Sequence, residues 1–308
     1  MPFTPFRPSA SPLPAAVIVG LLLSVAACES ERLAPSASQP SAPSTPALTV
    51  GFAGGIPFGT FEQPTTKFGS LYNGAKLTLR PLHALDSLAA VKARGGRVVL
   101  KLAGNDTSFQ TSSGRFDFSQ WKAQVDRFRK VNIGPYITDG TIFGHYMIDE
   151  PSSPQNWGGV VIPQSTLEAM AKYSKSIWPN LPTLVRTEST YLAKWTGTYV
   201  YLDAAWAQYV YRKGPVGDFI TRNIADAKKK GLALGVGLNL LRGGPNHLPM
   251  TASQVSSWGS TLLNTSYPCT FISWQYDAAY LGTTAMKNAM ATLRSKAQNR
   301  STKSCRGT

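Results

Sequence analysis

Residues 143–151, Phe-Gly-His-Tyr-Met-Ile-Asp-Glu-Pro, join an apolar strand-like run to two adjacent carboxylates and a proline. Proline has no N–H for the next ladder bond, so the strand must stop there and leave Asp149 and Glu150 at its rim. A protonated carboxyl at such a rim can assist a leaving group, while an ionised one attacks or activates water, so paired acids point to general acid–base chemistry. An isolated Asp-Glu-Pro is more often an ordinary acidic turn. What decides between the two is the company the rest of the chain brings to it.

Apolar runs at 48–54, 97–104, 142–149, 182–187, 199–206, 232–239 and 270–276 have the length and composition of strands. Amphipathic helical stretches at 83–94, 119–131, 165–178, 216–230, 252–264 and 284–297 separate them, with capping signals in Ser165/Glu168 and Thr251/Gln254. Strand and helix alternating at a spacing of roughly 35 residues is the pattern of a parallel sheet with helical crossovers. The expected fold is a (β/α)8 TIM-type barrel, complete if residues 75–81 supply the eighth strand and irregular otherwise. A doubly wound open sheet fits less well, since no glycine-rich phosphate fingerprint follows the first strand.

In such a barrel every strand's C-terminal end reaches the same mouth. Those ends carry Asn105 and Asp106, then Asp149 and Glu150, then Arg186 and Glu188, then Asp203 with Trp206 and Gln208, then Asn239, and finally Trp274, Gln275 and Asp277. Glu150 is the candidate acid; Asp149, Glu188, Asp203 and Asp277 compete for the second catalytic role. Simple alternation places Tyr146 and Ile148 on the face of Glu150 and turns Asp149 outward unless the strand bulges. Lys101 and Arg186, in apolar strands, need partners and are expected to find them in Glu150 or Glu188. Trp157, Trp206 and Trp274 offer flat rings to the apolar faces of sugars, with Asn105, Asp106, Tyr146, Arg186, Gln208, Asn239 and Gln275 as further binding groups. Trp121, Trp178 and Trp258 lie on helices and read as core.

On these residues, 48–297 resemble the glycoside-hydrolase-like barrels of bacterial exported proteins, and Tyr146-Met147-Ile148-Asp149-Glu150-Pro151 is similar to the strand-end carboxylate motif of several such families. Their acid is usually preceded by Asn in clan-A glycosidases; Asp149 stands there instead. Hexosaminidase-like barrels carry an adjacent Asp-Glu pair in which Asp orients the substrate's acetamido group and Glu is the acid, and Asp149–Glu150 matches that layout. The resemblance implies hydrolysis of a poly- or oligosaccharide by carboxylate general acid catalysis, with no cofactor. The alternative from another class is a non-catalytic carbohydrate-binding or envelope-scaffolding lipoprotein on the same barrel.

The ends of the chain bear on location. Residues 1–27 hold one charged side chain, Arg7, then an apolar run from Ala15 to Ala27 ending in Val25-Ala26-Ala27-Cys28. This resembles the lipobox of bacterial lipoproteins, with Cys28 lipidated after cleavage, and the run falls short of the roughly 20 apolar residues a membrane helix needs. Residues 28–47 are rich in Ser, Pro and Ala and read as a flexible tether to the barrel domain, 48–308, with its basic tail. A cell-envelope location outward of the cytoplasmic membrane follows, with the lipid on Cys28 as the contact to the membrane. Two cysteines then remain, Cys269 and Cys305, and in an exported chain they are expected to pair.

The formal charge of +15 favours anionic surroundings, so an acidic carbohydrate is among the expected substrates. The basic residues are scattered and no nucleic-acid motif is present, so no nucleic-acid partner is expected, and the protein is read as a monomer. His83, His145 and His247 are dispersed, which argues against a metal site, and neither a Gly-x-Ser-x-Gly elbow nor a Walker loop appears.

Overall fold

The computed structural model describes residues 54–69 and 71–307. The expected signal peptide 1–27, the lipidated Cys28, the tether 28–47 and nearly all of the strand expected at 48–54 lie outside the described residues. Eight parallel strands close into a barrel in chain order: β1 (Phe58–Phe61), β2 (Gly74–Thr78), β3 (Arg97–Lys101), β4 (Ile142–Asp149), β5 (Thr183–Arg186), β6 (Ala204–Tyr209), β7 (Ala233–Leu238) and β8 (Thr270–Ser273). Helices α1 (Ala84–Lys92), α2 (Phe118–Asp126), α3 (Gly134–Thr138), α4 (Gln164–Ile177), α5 (Ser189–Ala193), α6 (Val216–Lys229), α7 (Ala252–Leu263), α8 (Ala278–Gly282) and α9 (Thr284–Gln298) occupy the connections. The barrel is complete: β2 overlaps the strand expected at 75–81, and β1 falls at 58–61, where no strand was expected. Among the described residues, no helix is long and apolar enough to cross a membrane.

Alternation sorts the strand side chains into two layers. In β3, Val98 and Leu100 pack outward under the helices, whereas Val99 joins Phe61, Tyr146, Leu184, Trp206 and Ile272 inside the barrel. Trp206 is the bulkiest of these inner groups; Gly235 of β7 makes room for it, and Gly237 lets β7 approach the backbone of β8. A Cβ on Gly235 would sit 3.2 Å from Cγ of Trp206, and one on Gly237 would sit 2.1 Å from the Ile272 carbonyl oxygen. Neither place admits a side chain without movement.

The sixth strand begins later than its sequence suggests. Residues 199–203 are apolar enough for a strand, but the Glu168 carboxylate accepts hydrogen bonds from the backbone N–H groups of Val200, Tyr201 and Leu202 at 2.7, 2.9 and 3.0 Å. Those groups are therefore unavailable to a ladder, and β6 starts at Ala204. Glu168 does not form the expected capping box with Ser165, since α4 is entered from Pro163 without a side-chain cap. The box of Thr251 with Gln254 is formed at α7.

The N-terminal end of the barrel is closed by the C-terminal tail. Cys269, just before β8, is bonded to Cys305, with their Cα atoms 5.3 Å apart. Beyond it, the Arg306 guanidinium donates to the Asn180 carbonyl at 2.8 Å, and the Gly307 N–H donates to Asp203 at 3.3 Å. Asp203 is thereby corrected as a mouth residue: the late start of β6 places it at the strand's beginning, on the floor. There it pairs with Lys175 at 2.8 Å and accepts the Thr183 N–H at 2.8 Å.

Candidate active site

The carboxylate pair is positioned by an irregularity in β4. Its pairing with β5 shifts register between Tyr146 and Ile148, so Met147 and Ile148 both pack into the outer core, and Tyr146 and Asp149 both turn inward. The bulge thus corrects the expectation that Ile148 shares the face of Glu150 while Asp149 points away. Glu150 follows at φ 38°, a left-handed conformation that costs a side-chain-bearing residue about 1 kcal/mol. Its backbone is held on both sides. The N–H donates to the Arg186 carbonyl at 2.9 Å, while the carbonyl accepts from the Ser153 N–H at 2.9 Å and the Trp157 indole at 3.1 Å.

Arg186, at the end of β5, organises the side chains. Its Nε donates to Asp149, its Nη1 donates to Gln208 Oε1 at 2.7 Å, and its Nη2 lies 3.1 Å from Glu150 Oε1. Asn156 donates to the other oxygen of Glu150 at 3.2 Å. Burial alone would push Asp149 toward its neutral form, but the charge and hydrogen bond of Arg186, helped by Lys101, hold the carboxyl below its usual range. Burial works against the charge of Arg186 as well, and Asp149 more than restores it. The Tyr146 phenol is raised by burial and by the neighbouring Asp149 charge, so it keeps its proton. Asp149 and Arg186 form a nearly neutral unit inside the barrel, and Glu150 is its outer member, with 47 % of its side chain exposed.

A second set of charges lies behind this one. Lys101 pairs with Asp106 at 2.8 Å, and Lys76 with Glu62. The two ammonium groups stand 5.9 and 5.3 Å from the centre of the Tyr146 ring. Burial raises the Asp106 carboxyl despite Lys101, and burial lowers the Lys76 ammonium despite Glu62. Burial also opposes the charge of Glu62, yet Lys76 and Thr78 bring that carboxyl below its usual range. Lys101 thus finds its partner in Asp106, five residues along the chain, rather than in Glu150 or Glu188. Sequence reading missed Glu62 and Lys76; the signal for Glu62 is a charge just beyond the end of a short apolar strand, and for Lys76 a charge in the middle of one.

Glu150 and Arg186 form the ridge between two recesses of about 580 and 760 Å³ that share the walls Val210, Arg212 and Asn239. Glu188 and Gln208 line the first and Trp274 the second. Glu188 is ion-paired with Lys213 and lies 3.7 Å from Arg222. Asn239 accepts the backbone N–H of Arg242 at 3.0 Å.

Other expected site residues sit elsewhere. Asp277 accepts the Tyr280 N–H at 2.8 Å and caps α8. Asn105, Asp106 and Gln275 do not line either recess. Trp157 is buried against Phe109 and Phe116, and Trp206 is buried against Phe61 and Tyr146. Neither indole is therefore an open platform: Trp157 anchors the Glu150 backbone, and Trp206 floors the first recess. Among the described residues, no three His, Cys, Asp or Glu side chains gather as a metal site.

No protein-family model and no curated protein sequence matches the chain. Solved structures do match, three glycoside hydrolases among them. Xylanase 10B from Thermotoga petrophila RKU-1, in complex with xylobiose, is similar at a TM-score of 0.51 and 10 % identity, over 80 % of this chain and 95 % of the xylanase. A β-(1,4)-mannanase from Podospora anserina is similar at 0.50 and 12 % identity over 78 % of this chain, which spans only 61 % of the mannanase. An endocellulase from Pyrococcus horikoshii gives 0.50 and 11 % identity over 79 % of this chain and 92 % of the endocellulase. At these identities the likeness establishes the (β/α)8 fold.

Proposed function

We propose that the protein is a glycoside hydrolase in which Glu150 is the general acid, acting on a poly- or oligosaccharide laid across the two recesses. The observation that carries this reading is the position of Glu150: it is the partly exposed carboxylate on the ridge common to both recesses, held by Arg186 and Asn156. A sugar chain spanning the recesses would bring a glycosidic oxygen to that ridge. Glu150 donates its proton to the leaving oxygen, and positive charge grows at the anomeric carbon beside the ionised Asp149. The same Glu150, now a carboxylate, takes a proton from the water that completes hydrolysis. Asp149 is preferred for the partner role over Glu188, which lies on the wall of the first recess, and over Asp203 and Asp277, which support the floor and a helix start. Gln208 holds Arg186 in register, and of the three expected tryptophans Trp274 is the one left to meet a sugar face.

The Val25-Ala26-Ala27-Cys28 sequence supports export and lipid anchoring, which would place this cleft at the cell envelope. A second reading, a carbohydrate-binding protein without turnover, is favoured by one observation: Asp149 and Glu188 are both ion-paired, leaving no free second carboxylate in the cleft. Release of reducing ends separates the two. Incubated with a panel of bacterial and plant polysaccharides, the purified protein is expected to generate new reducing ends from at least one. Binding without release across the panel would replace the glycosidase reading with the binding one.

A further inference from the structure

We infer that the cleft takes a polyanionic glycan, one bearing carboxylate or sulfate groups on sugars to both sides of Glu150; this rests on the glycosidase reading of the same site. Six cations line the two recesses, Arg186, Lys194, Arg212, Lys213, Arg222 and Arg242, against three carboxylates, Asp149, Glu150 and Glu188. The carboxylates are already matched: Arg186 serves Asp149 and Glu150, while Lys213 and Arg222 serve Glu188. Lys194, Arg212 and Arg242 are exposed, and none of them has a carboxylate partner among the described residues. A charge on a protein surface is ordinarily just solvated, but these three converge on one cleft in which no acid is left for them.

Their distribution sets the kind of ligand. Lys194 lines the first recess, Arg242 the second, and Arg212 the wall common to both. A glycan with one acidic sugar would satisfy one of them, whereas a chain of acidic sugars crossing the ridge satisfies all three. The loops that carry the two arginines are stitched together, with the Tyr211 N–H donating to the Gly243 carbonyl at 2.8 Å, and Asn239 holds the backbone of Arg242. The guanidinium groups are therefore presented from linked backbone, and their planar forks suit carboxylate and sulfate oxygens alike.

The test compares two triple variants in a Glu150→Gln background that prevents turnover. One carries Lys194→Gln, Arg212→Gln and Arg242→Gln. The other removes the same charge from exposed sites away from the cleft through Lys130→Gln, Lys229→Gln and Lys287→Gln. Affinities are measured at fixed ionic strength for polygalacturonate, chondroitin sulfate, neutral xylan and an oligothymidylate. The cleft triple should lose about tenfold or more in affinity for an anionic glycan, and the control triple less than about twofold. Preference for polygalacturonate over chondroitin sulfate assigns carboxylate recognition, and the reverse assigns sulfate. Equal losses in both triples would overturn the inference, as would tighter binding of the oligothymidylate than of either anionic glycan. If xylan is bound in preference to both, and wild-type protein cleaves it in a Glu150-dependent way, the polyanion inference falls and the glycosidase reading stands. If no glycan binds, both fall.

Discussion

Two aspartates, the partly exposed Asp149 at the mouth of the barrel and the buried Asp203 at its floor, are each clasped by a cation from a neighbouring element, yet the two pairs are built for different ends. Asp203 has its oxygens filled by Lys175, by the Thr183 N–H and by the Gly307 N–H of the tail, a closed set that joins helix, strand and C-terminus. Asp149 shares its arginine with Gln208 and with Glu150, and Glu150 opens onto the cleft. An ion pair whose hydrogen bonds are all spent on the protein holds the fold together. One that passes a contact outward to an exposed acid can position a reacting group.

Breaking the mouth pair should have the largest effect. Arg186→Gln removes the charge that keeps the partly exposed Asp149 ionised and is expected to cost about 3 kcal/mol of stability, the low end for a buried pair, together with most turnover. Its pH signature is specific. In the native protein the Asp149 carboxyl lies below its ordinary value, so its contribution is present above a pH of about 4 and lost as pH falls through the carboxylate range. Without Arg186, burial dominates and the sign reverses, so this contribution should fall as pH rises. Denaturant titrations of both proteins between pH 4 and 8 read the difference.

The floor should be costly to break and silent in function. The Cys269–Cys305 bridge closes a loop with a sequence separation of 36, which the chain-entropy model values at about 3–4 kcal/mol. The Cys269→Ser, Cys305→Ser protein should therefore melt earlier while keeping wild-type turnover well below its melting temperature. A large loss of turnover in the folded variant would erase the distinction between floor and mouth.

A graded effect, small near neutral pH and growing on acidification, belongs to the helix layer. His145 is buried between β4 and α4, with Nδ1 2.8 Å from the Ser174 hydroxyl, and burial lowers its pKa to about 3. The unfolded chain binds this proton near pH 6.5 and the folded one does not. Stability should thus decline by about 1.4 kcal/mol per pH unit on acidification below roughly pH 6.5. His145→Gln should flatten that slope without altering the pH dependence of turnover.

The order of elements and the mouth-ward polarity were legible from strand–helix alternation, as was the cysteine pair. Glu150 and Arg186 were legible as polar groups closing apolar strands. What sequence could not supply was register. The shift in β4 that brings Asp149 inward is a property of its pairing with β5, and nothing in Tyr-Met-Ile-Asp marks it. The starting point of β6 depends on Glu168, more than thirty residues upstream, binding the backbone that would otherwise extend the strand, and that five-residue difference moves Asp203 from mouth to floor. Trp206 reads as a platform at a strand end, yet it fills the barrel interior, where its register partner Gly235 in β7 leaves it room. Glu62 escaped because the four-residue strand before it is too short to carry a period.

The central claim is that Glu150 supplies a proton and the rest of the mouth holds it in place. Replacing Glu150 by Gln keeps the shape and one acceptor oxygen, for Arg186 or for Asn156, while removing the transferable proton. Steady-state kinetics on a polysaccharide that the wild type cleaves, paired with a binding isotherm for the same polymer, should show kcat reduced by about 10²-fold or more with affinity retained. Full turnover by the Glu150→Gln protein would contradict the account.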